Sequence, residues 1–132
     1  MNDRSSTYIM IAHGSREEKS NQAFFDFLDA FRRAYPHRKV EPSFLELAEP
    51  GIPEAIEKSV REGAREIFVI PLMLFPGRHV KDDIPRFIEE AKTRHPEIDF
   101  HYGGPLTDHP MMLELLEEKA KSIHKKTFAQ KD

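Results

Sequence analysis

Four apolar, strand-like runs alternate along this chain with four helical stripes, and few folds are open to a chain built that way. Residues 7–12 form an almost unbroken apolar run, as a strand covered on both faces requires. Phe24, Phe27, Leu28, Phe31 and Ala34 follow at helical spacing. Ser15 and Glu18 have capping-box spacing at the start of that helix, and Pro36 ends it. Residues 39–47 are the second strand, with Val40, Phe44, Leu45 and Leu47 as its apolar content. The short helix behind it has Pro53 in its first turn, Ala55, Ile56 and Val60 as its buried face, and Gly63 at its end. Residues 65–72 make the third and most apolar strand. A loop through Phe75-Pro76-Gly77-Arg78-His79 then leads to a helix from about Asp82. Pro85 suits its first turn, Ile84, Phe87, Ile88 and Ala91 form its stripe, and Pro96 stops it. The fourth strand covers residues 98–102. A last helix starts near His109-Pro110, and Met112, Leu115, Leu116, the Lys119 stem, Ala120 and Ile123 are expected to pack onto the sheet.

Such β-α alternation favours a parallel sheet with helices on both faces, because the crossovers are helical and right-handed. The expected fold is α/β with a flavodoxin-like strand order 2-1-3-4. The chain has 132 residues, the size of one α/β domain, with an ordered core over about 7–124. The basic tail, residues 125–132, is expected to fray. In this order strands 1 and 3 are neighbours, and their carboxyl ends flank the switch point where open α/β sheets bind ligands.

Composition narrows the chemistry further. The chain has no cysteine, so disulfides, thiolate metal sites and cysteine catalysis are excluded. Any metal has to be held by imidazole, carboxylate or water. A formal net charge of -3, with both signs interspersed, gives no electrostatic footprint for nucleic acid. Residues 1–6 are polar and short, unlike a signal peptide or a membrane span. A cytoplasmic protein without nucleic-acid or membrane partners is expected. No P-loop, GxGxxG, GxSxG or HExxH motif occurs.

The chemistry-bearing residues gather where the topology predicts a mouth. His13 follows strand 1, and Gly14 permits a tight exit there. His79 follows strand 3 in the order of the chain. Two imidazoles at one mouth point to metal or proton chemistry. The helix start and the cationic neighbours Arg78 and Lys81 favour neutral, metal-binding imidazole at His79, while Asp82 and Asp83 oppose this. Glu46 lies at the end of strand 2, beside strand 1. Strand alternation would set it opposite in facing to Leu45 and Leu47, and apolar surroundings would raise its pKa and suit it to accept a proton. Glu49 reads as an ordinary loop charge. Arg16, Arg78 and Lys81 can hold an anionic ligand. Each of these has a simpler reading: a capping histidine, a solvent-facing edge-strand carboxylate, or solvated surface charge. His101 and His109 fit capping and exposure better than the mouth. His37, His95 and His124 sit at helix ends and receive no role.

Three segments together carry a resemblance: His13-Gly14-Ser15-Arg16; Phe44-Leu45-Glu46-Leu47-Ala48-Glu49-Pro50 with Ile52-Pro53-Glu54-Ala55-Ile56; and the long stretch from Ile70 through Phe75-Pro76-Gly77-Arg78-His79 to Pro85. From about Thr7 to Ile123 the chain resembles the small, archaeal-type sirohydrochlorin cobaltochelatases, relatives of the class II chelatases. The resemblance implies a chelatase-like fold and insertion of a divalent metal into sirohydrochlorin for cobalamin synthesis. Cobalt is favoured, nickel and iron are the alternatives, and no organic cofactor is implied. It places the two-histidine pattern on His13 and His79 and a carboxylate partner on Glu46. The carboxylate-rich substrate gives Ser15, Arg16, Arg78 and Lys81 a purpose, and the apolar Met73, Leu74 and Phe75 either face the macrocycle or pack in the core. Larger relatives hold two such domains around a cleft, so a single-domain member is expected to form a homodimer that shares its cleft. Two readings from other classes stay open: a metal or tetrapyrrole carrier without turnover, and an interaction domain with incidental histidines.

Overall fold

The computed structural model describes residues 5–130, with side chains through residue 126. Four parallel strands, β1 (Ser6–Ala12), β2 (Val40–Phe44), β3 (Glu66–Pro71) and β4 (Asp99–Tyr102), lie in the order β2-β1-β3-β4. The expected order is therefore the observed one. β1 is central, and the register sets Tyr8 beside Val40 on one side and beside Phe68 on the other. β2 is an edge strand, which explains why it tolerates Pro42, a residue with no N–H to give a ladder.

The period-two alternation of the strands splits the core into two layers. Thr7, Ile9, Ile11, Ile67 and Val69 point to one face. There they meet Ile52, Ala55 and Ile56 of α2 (Ile52–Arg61) and Ile84, Ile88 and Ala91 of α3 (Ile84–Arg94). Met10, Val40 and Phe44 belong to the other layer, under Phe24 and Leu28 of α1 (Glu18–Ala34). Burying an Ile or Phe side chain of this kind contributes roughly 1.5–3 kcal/mol. Gly63, at φ +97°, ends α2 in the left-handed region that glycine adopts without strain.

Three expectations need correction. The Ser15/Glu18 capping box does not form: α1 starts at Glu18, and the Ser15 hydroxyl instead accepts the Glu17 N–H at 3.0 Å. The second strand ends at Phe44, not Leu47, because Leu47 takes φ 66° and breaks the extended run. The last helix, α4 (Met111–Gln130), carries its apolar stripe but does not pack it on the sheet. From Met111 to Lys126 every side chain of α4 except Met112 is exposed. The cause lies just before it. The 3-10 turn Leu106–Asp108 is pinned to the loop after β3 by Leu106 N–H to Met73 O, 2.8 Å, and this sends the chain away from the sheet. The expectation for the tail falls partly on residues 131–132, outside the described residues.

Candidate metal centre

Three loops converge at the carboxyl ends of β1, β2 and β3. The β1–β2 pairing runs on past both strands through Leu45 N–H to Ala12 O, 3.0 Å, and Glu46 N–H to His13 O, 3.1 Å. This fixes the backbone of Glu46 directly against that of His13. The approach is so close that a Cβ on Gly14 would lie 1.8 Å from the Glu46 carbonyl oxygen. Gly14 also has φ +101°, so both its small size and its backbone freedom are required. The loop closes through Phe44 N–H to Pro50 O at 2.8 Å and contains the cis Glu49–Pro50 bond.

The segment after His13 is held by Asn21, a residue with no sequence signal of this role. Its side-chain oxygen accepts the Ser15 N–H at 3.1 Å, and its amide donates to the Ser15 carbonyl at 2.8 Å. A residue in the first turn of a helix that turns back six places onto the loop leaves no motif; only a half-buried polar residue on α1 hints at it.

His79 is not in a loop. It opens a π-helical turn, His79–Asp83, that runs straight into α3, with Ile84 N–H donating to His79 O. π turns often mark functional sites, since the wider turn re-aims side chains. The widened turn also strips the Val80 carbonyl of its helical donor, because the residue five places on is Pro85. The Tyr102 hydroxyl of β4 fills the gap, donating to Val80 O at 2.6 Å. Burial pushes the Tyr102 phenol up to about 12.

The outcome is a compact triad. His13 Nε2 stands 3.3 Å from Glu46 Oε2, and the His13 and His79 ring centroids are 5.0 Å apart. One ligand atom from each of His13, Glu46 and His79 lies within 4.8 Å of the others, a spacing that one metal ion can bridge. The second ring nitrogen of His79 is engaged: Asp83 Oδ2 lies 2.6 Å from Nδ1. The hydrogen bond from His79 holds the Asp83 carboxyl below its usual range, with Arg86 adding to this. An ionised carboxylate only accepts, so Nδ1 carries the proton in this bond, and Nε2 is the ring nitrogen left to face a metal. In the sequence Asp83 is one more charge near His79, yet the i,i+4 spacing His79/Asp83 is the signal that reveals it.

The triad forms an open shelf, not an enclosed cavity. The His13, Glu46 and His79 side chains are 54%, 50% and 38% exposed. The apolar enclosure expected around Glu46 is therefore absent, because Glu46 sits in a loop and not on an alternating strand. Of the apolar loop residues, Met73 packs on the core while Leu74 and Phe75 are exposed at the mouth. Arg78 and Lys81 are exposed beside His79. Ser15 and Arg16 line a cleft of ≈ 400 Å³ with Asn21, Leu47 and Glu49 on the other flank. His101 takes no part: it stacks on Phe68 at 4.7 Å and pairs with Glu66 at 2.9 Å. His109 Nδ1 accepts the Met111 N–H and so caps α4.

Known proteins share this arrangement of strands and loops. The chain is similar to a sirohydrochlorin cobaltochelatase of Sulfolobus acidocaldarius, 31% identical over 112 residues that cover 85% of this chain and 87% of that one. It is similar to a chloroplastic sirohydrochlorin ferrochelatase of Arabidopsis thaliana, 35% identical over 84% of this chain and 49% of the other. Its fold matches the sirohydrochlorin chelatase SirB of Bacillus subtilis subspecies spizizenii, solved in complex with cobalt, with TM-score 0.78 and 34% identity over 90% of this chain and 51% of that one. The chain thus spans about half the length of the last two. The family model described as CbiX matches residues 7–123, nearly the whole of the sheet and its crossovers, and this chain belongs to the CbiX family.

Proposed function

We propose that this protein inserts a divalent metal, cobalt in preference to iron or nickel, into sirohydrochlorin. The observation that carries the reading is the His13/Glu46/His79 triad, with its ligand atoms within 4.8 Å on an open shelf at the switch point. The relative matched along 87% of its length is named a cobaltochelatase, which supports cobalt. The iron enzymes named among the relatives match over a smaller share of their length.

The chemistry asked of the site is modest. The metal, a substrate here, must shed water, and two pyrrole protons must leave as two nitrogen–metal bonds form. His13 and His79 Nε2 replace water with borderline ligands suited to cobalt. Two imidazoles on an exposed shelf, with the Glu46 carboxylate beside them, hold the ion without enclosing it, so the macrocycle can take it over. Glu46 accepts the two pyrrole protons one after the other and passes each to bulk water before taking the next. Arg16, Arg78 and Lys81, with Ser15 at the rim, pair with the carboxylates of the substrate. Leu74 and Phe75 offer an apolar edge to its face. The shelf is open on one side, and a second copy of the chain closes it in a homodimer with a shared mouth.

Mixing the protein with sirohydrochlorin and Co²⁺, Ni²⁺ or Fe²⁺ in turn, and following the macrocycle absorbance, tests this. Many equivalents turned over, fastest with Co²⁺, is the expected result. Conversion that stops at one equivalent per site would make the protein a carrier. Replacing His13 or His79 by Ala should slow insertion by about 100-fold or more, on the scale of losing a group that acts on the reacting atoms. His37→Ala should leave the rate unchanged, and equal losses in all three would remove the site from the mechanism.

A further inference from the structure

Leu47 stands beside the metal triad in a conformation that the fold itself does not explain. It follows Glu46 directly and takes φ 66°, in the left-handed region that a side chain enters only at a cost. Among the described residues it is the one non-glycine to do so. Two backbone bonds impose the turn: Glu46 N–H to His13 O holds the residue before it, and Phe44 N–H to Pro50 O closes the loop around it. Packing does not offset the strain. Nearby Leu45 and Ala48 each join a core layer, whereas Leu47 joins neither and is 50% exposed. Glycine or asparagine takes such a backbone more easily, so neither backbone nor core accounts for a leucine here. Strained residues of this kind gather at ligand sites. The surroundings of Leu47 supply one. Outside α4, and outside α1 with the Tyr35 that follows it, the exposed large hydrophobics among the described residues are Leu47, Leu74 and Phe75. The strand order sets them on opposite flanks of His13: Leu47 follows β2, His13 follows β1, and Leu74 and Phe75 follow β3. Two strand spacings, about 10 Å, separate β2 from β3.

We propose that Leu47 is a substrate-contact residue, bearing on the tetrapyrrole from the β2 flank while Leu74 and Phe75 bear on it from the β3 flank. The assignment rests on the sirohydrochlorin reading above and adds a residue to it. A tetrapyrrole offers a broad apolar face and a rim of carboxylates, and the β2 flank answers both. Leu47 shares a cleft of ≈ 400 Å³ with Ser15 and Arg16, so an apolar side chain and a cation stand together there. An extended residue at this position would prolong β2 and continue its alternation between the faces of the sheet. The left-handed turn ends that alternation and leaves the side chain exposed at the end of the strand, next to Glu46. Leucine has no metal-ligating atom. Its contribution therefore falls on binding of the macrocycle: it lowers the KM for sirohydrochlorin and leaves the KM for Co²⁺ and kcat as they are.

Leu47→Asn tests this, because asparagine tolerates the left-handed backbone and removes the apolar surface. With Co²⁺ in excess, the KM for sirohydrochlorin should rise about 10-fold, the scale of losing an apolar contact in a binding site. The KM for Co²⁺ and kcat should hold, and the urea midpoint should hold or rise as the backbone is eased. Leu47→Met keeps an apolar side chain and should restore the KM. Phe27→Ala removes a side chain of similar exposure, 55%, from α1 and should not move it. An unchanged KM for sirohydrochlorin in Leu47→Asn would overturn the assignment. A fall in the urea midpoint would place Leu47 in the service of the fold, and a changed oligomeric state by sedimentation would place it between copies of the chain; either result also overturns it. Titrating each protein with sirohydrochlorin in the absence of metal keeps the two readings apart. Binding weakened by Leu47→Asn in a protein that inserts no metal ends the chelatase proposal alone. Metal insertion with the same KM in both proteins ends the Leu47 assignment alone.

Discussion

Gly14 is the point at which two strands' exits come closest, and it shows how much of the site rests on one missing Cβ. With φ +101° and the Glu46 carbonyl 1.8 Å from where a methyl would go, Gly14→Ala must push the β2 loop away from β1. The expected loss is at least about 1–3 kcal/mol of stability, the cost of forcing a side chain into such a backbone. Urea unfolding measures it, and an unchanged midpoint would mean that the loop relaxes freely. The same displacement would move Glu46 from His13. Asp83 acts differently, since within the site it meets only the far nitrogen of His79, its other oxygen pairing with Arg86. It is a positioning residue, and Asp83→Ala should weaken engagement of the metal by about 10–100-fold, the usual cost of losing such a partner. The readout is the KM for Co²⁺, with exposed Asp82→Ala as the control that leaves it unchanged. At this scale the sequence disclosed His13, His79 and Glu46, because strand ends and topology decide where they sit. It hid Asn21, because a side chain that reaches back six residues to clamp a loop has no periodic signature.

The elements differ in how openly they were written. Strands announced themselves as apolar runs, and their ends moved by only a few residues, since β2 stops where Leu47 turns left-handed. The π turn was opaque: His79–Asp83 has the composition of any helix start, and only Pro85, which cannot donate to the Val80 carbonyl, hints that the register is wide. The Tyr102 hydroxyl replaces that missing donor, tying β4 to the turn that aims His79. Tyr102→Phe leaves the Val80 carbonyl unpaired and should cost about 1–3 kcal/mol. Thermal unfolding would register this, and metal insertion should slow in parallel; a silent substitution would detach the turn from β4. β2 offers the opposite case. The Ser43 hydroxyl is buried and has no hydrogen-bond partner among the described residues. Ser43→Ala removes a desolvated polar group and should leave the protein as stable or up to about 1 kcal/mol more so. A marked fall in the urea midpoint would reveal a partner for that hydroxyl, such as an internal water.

For the whole molecule, the expected strand order survived because right-handed crossovers leave little choice, while the packing of α4 did not, because an apolar stripe does not say what, if anything, the helix packs against. The charges act on this same scale, as ties between elements. Glu57 of α2 meets His95 at 2.9 Å and Arg94 at 3.1 Å, both at the end of α3, and chiefly the His95 hydrogen bond holds its carboxyl below 4.5. Glu66 of β3 is lowered by the Ser6 hydroxyl of β1 and by His101 of β4, and Asp83 is lowered by His79. A carboxylate lowered in this way binds fewer protons folded than unfolded. Its contribution is complete above the unfolded value, 4.5 for Glu57 and Glu66 and 3.8 for Asp83, and is lost as acid titrates it through the lower folded value. Stability should therefore be level from pH 7 to about 5 and fall steadily toward pH 2. Glu57→Gln isolates one of these ties. The carboxylate is partly exposed, so screening limits its worth to about 1 kcal/mol or less near neutrality. Urea unfolding of the two proteins should show that gap at pH 6 and show it closing as the pH falls below 4.5 and the native Glu57 takes up its proton. A gap that keeps the same size throughout would place the effect in side-chain packing and not in the charge that joins α2 to α3.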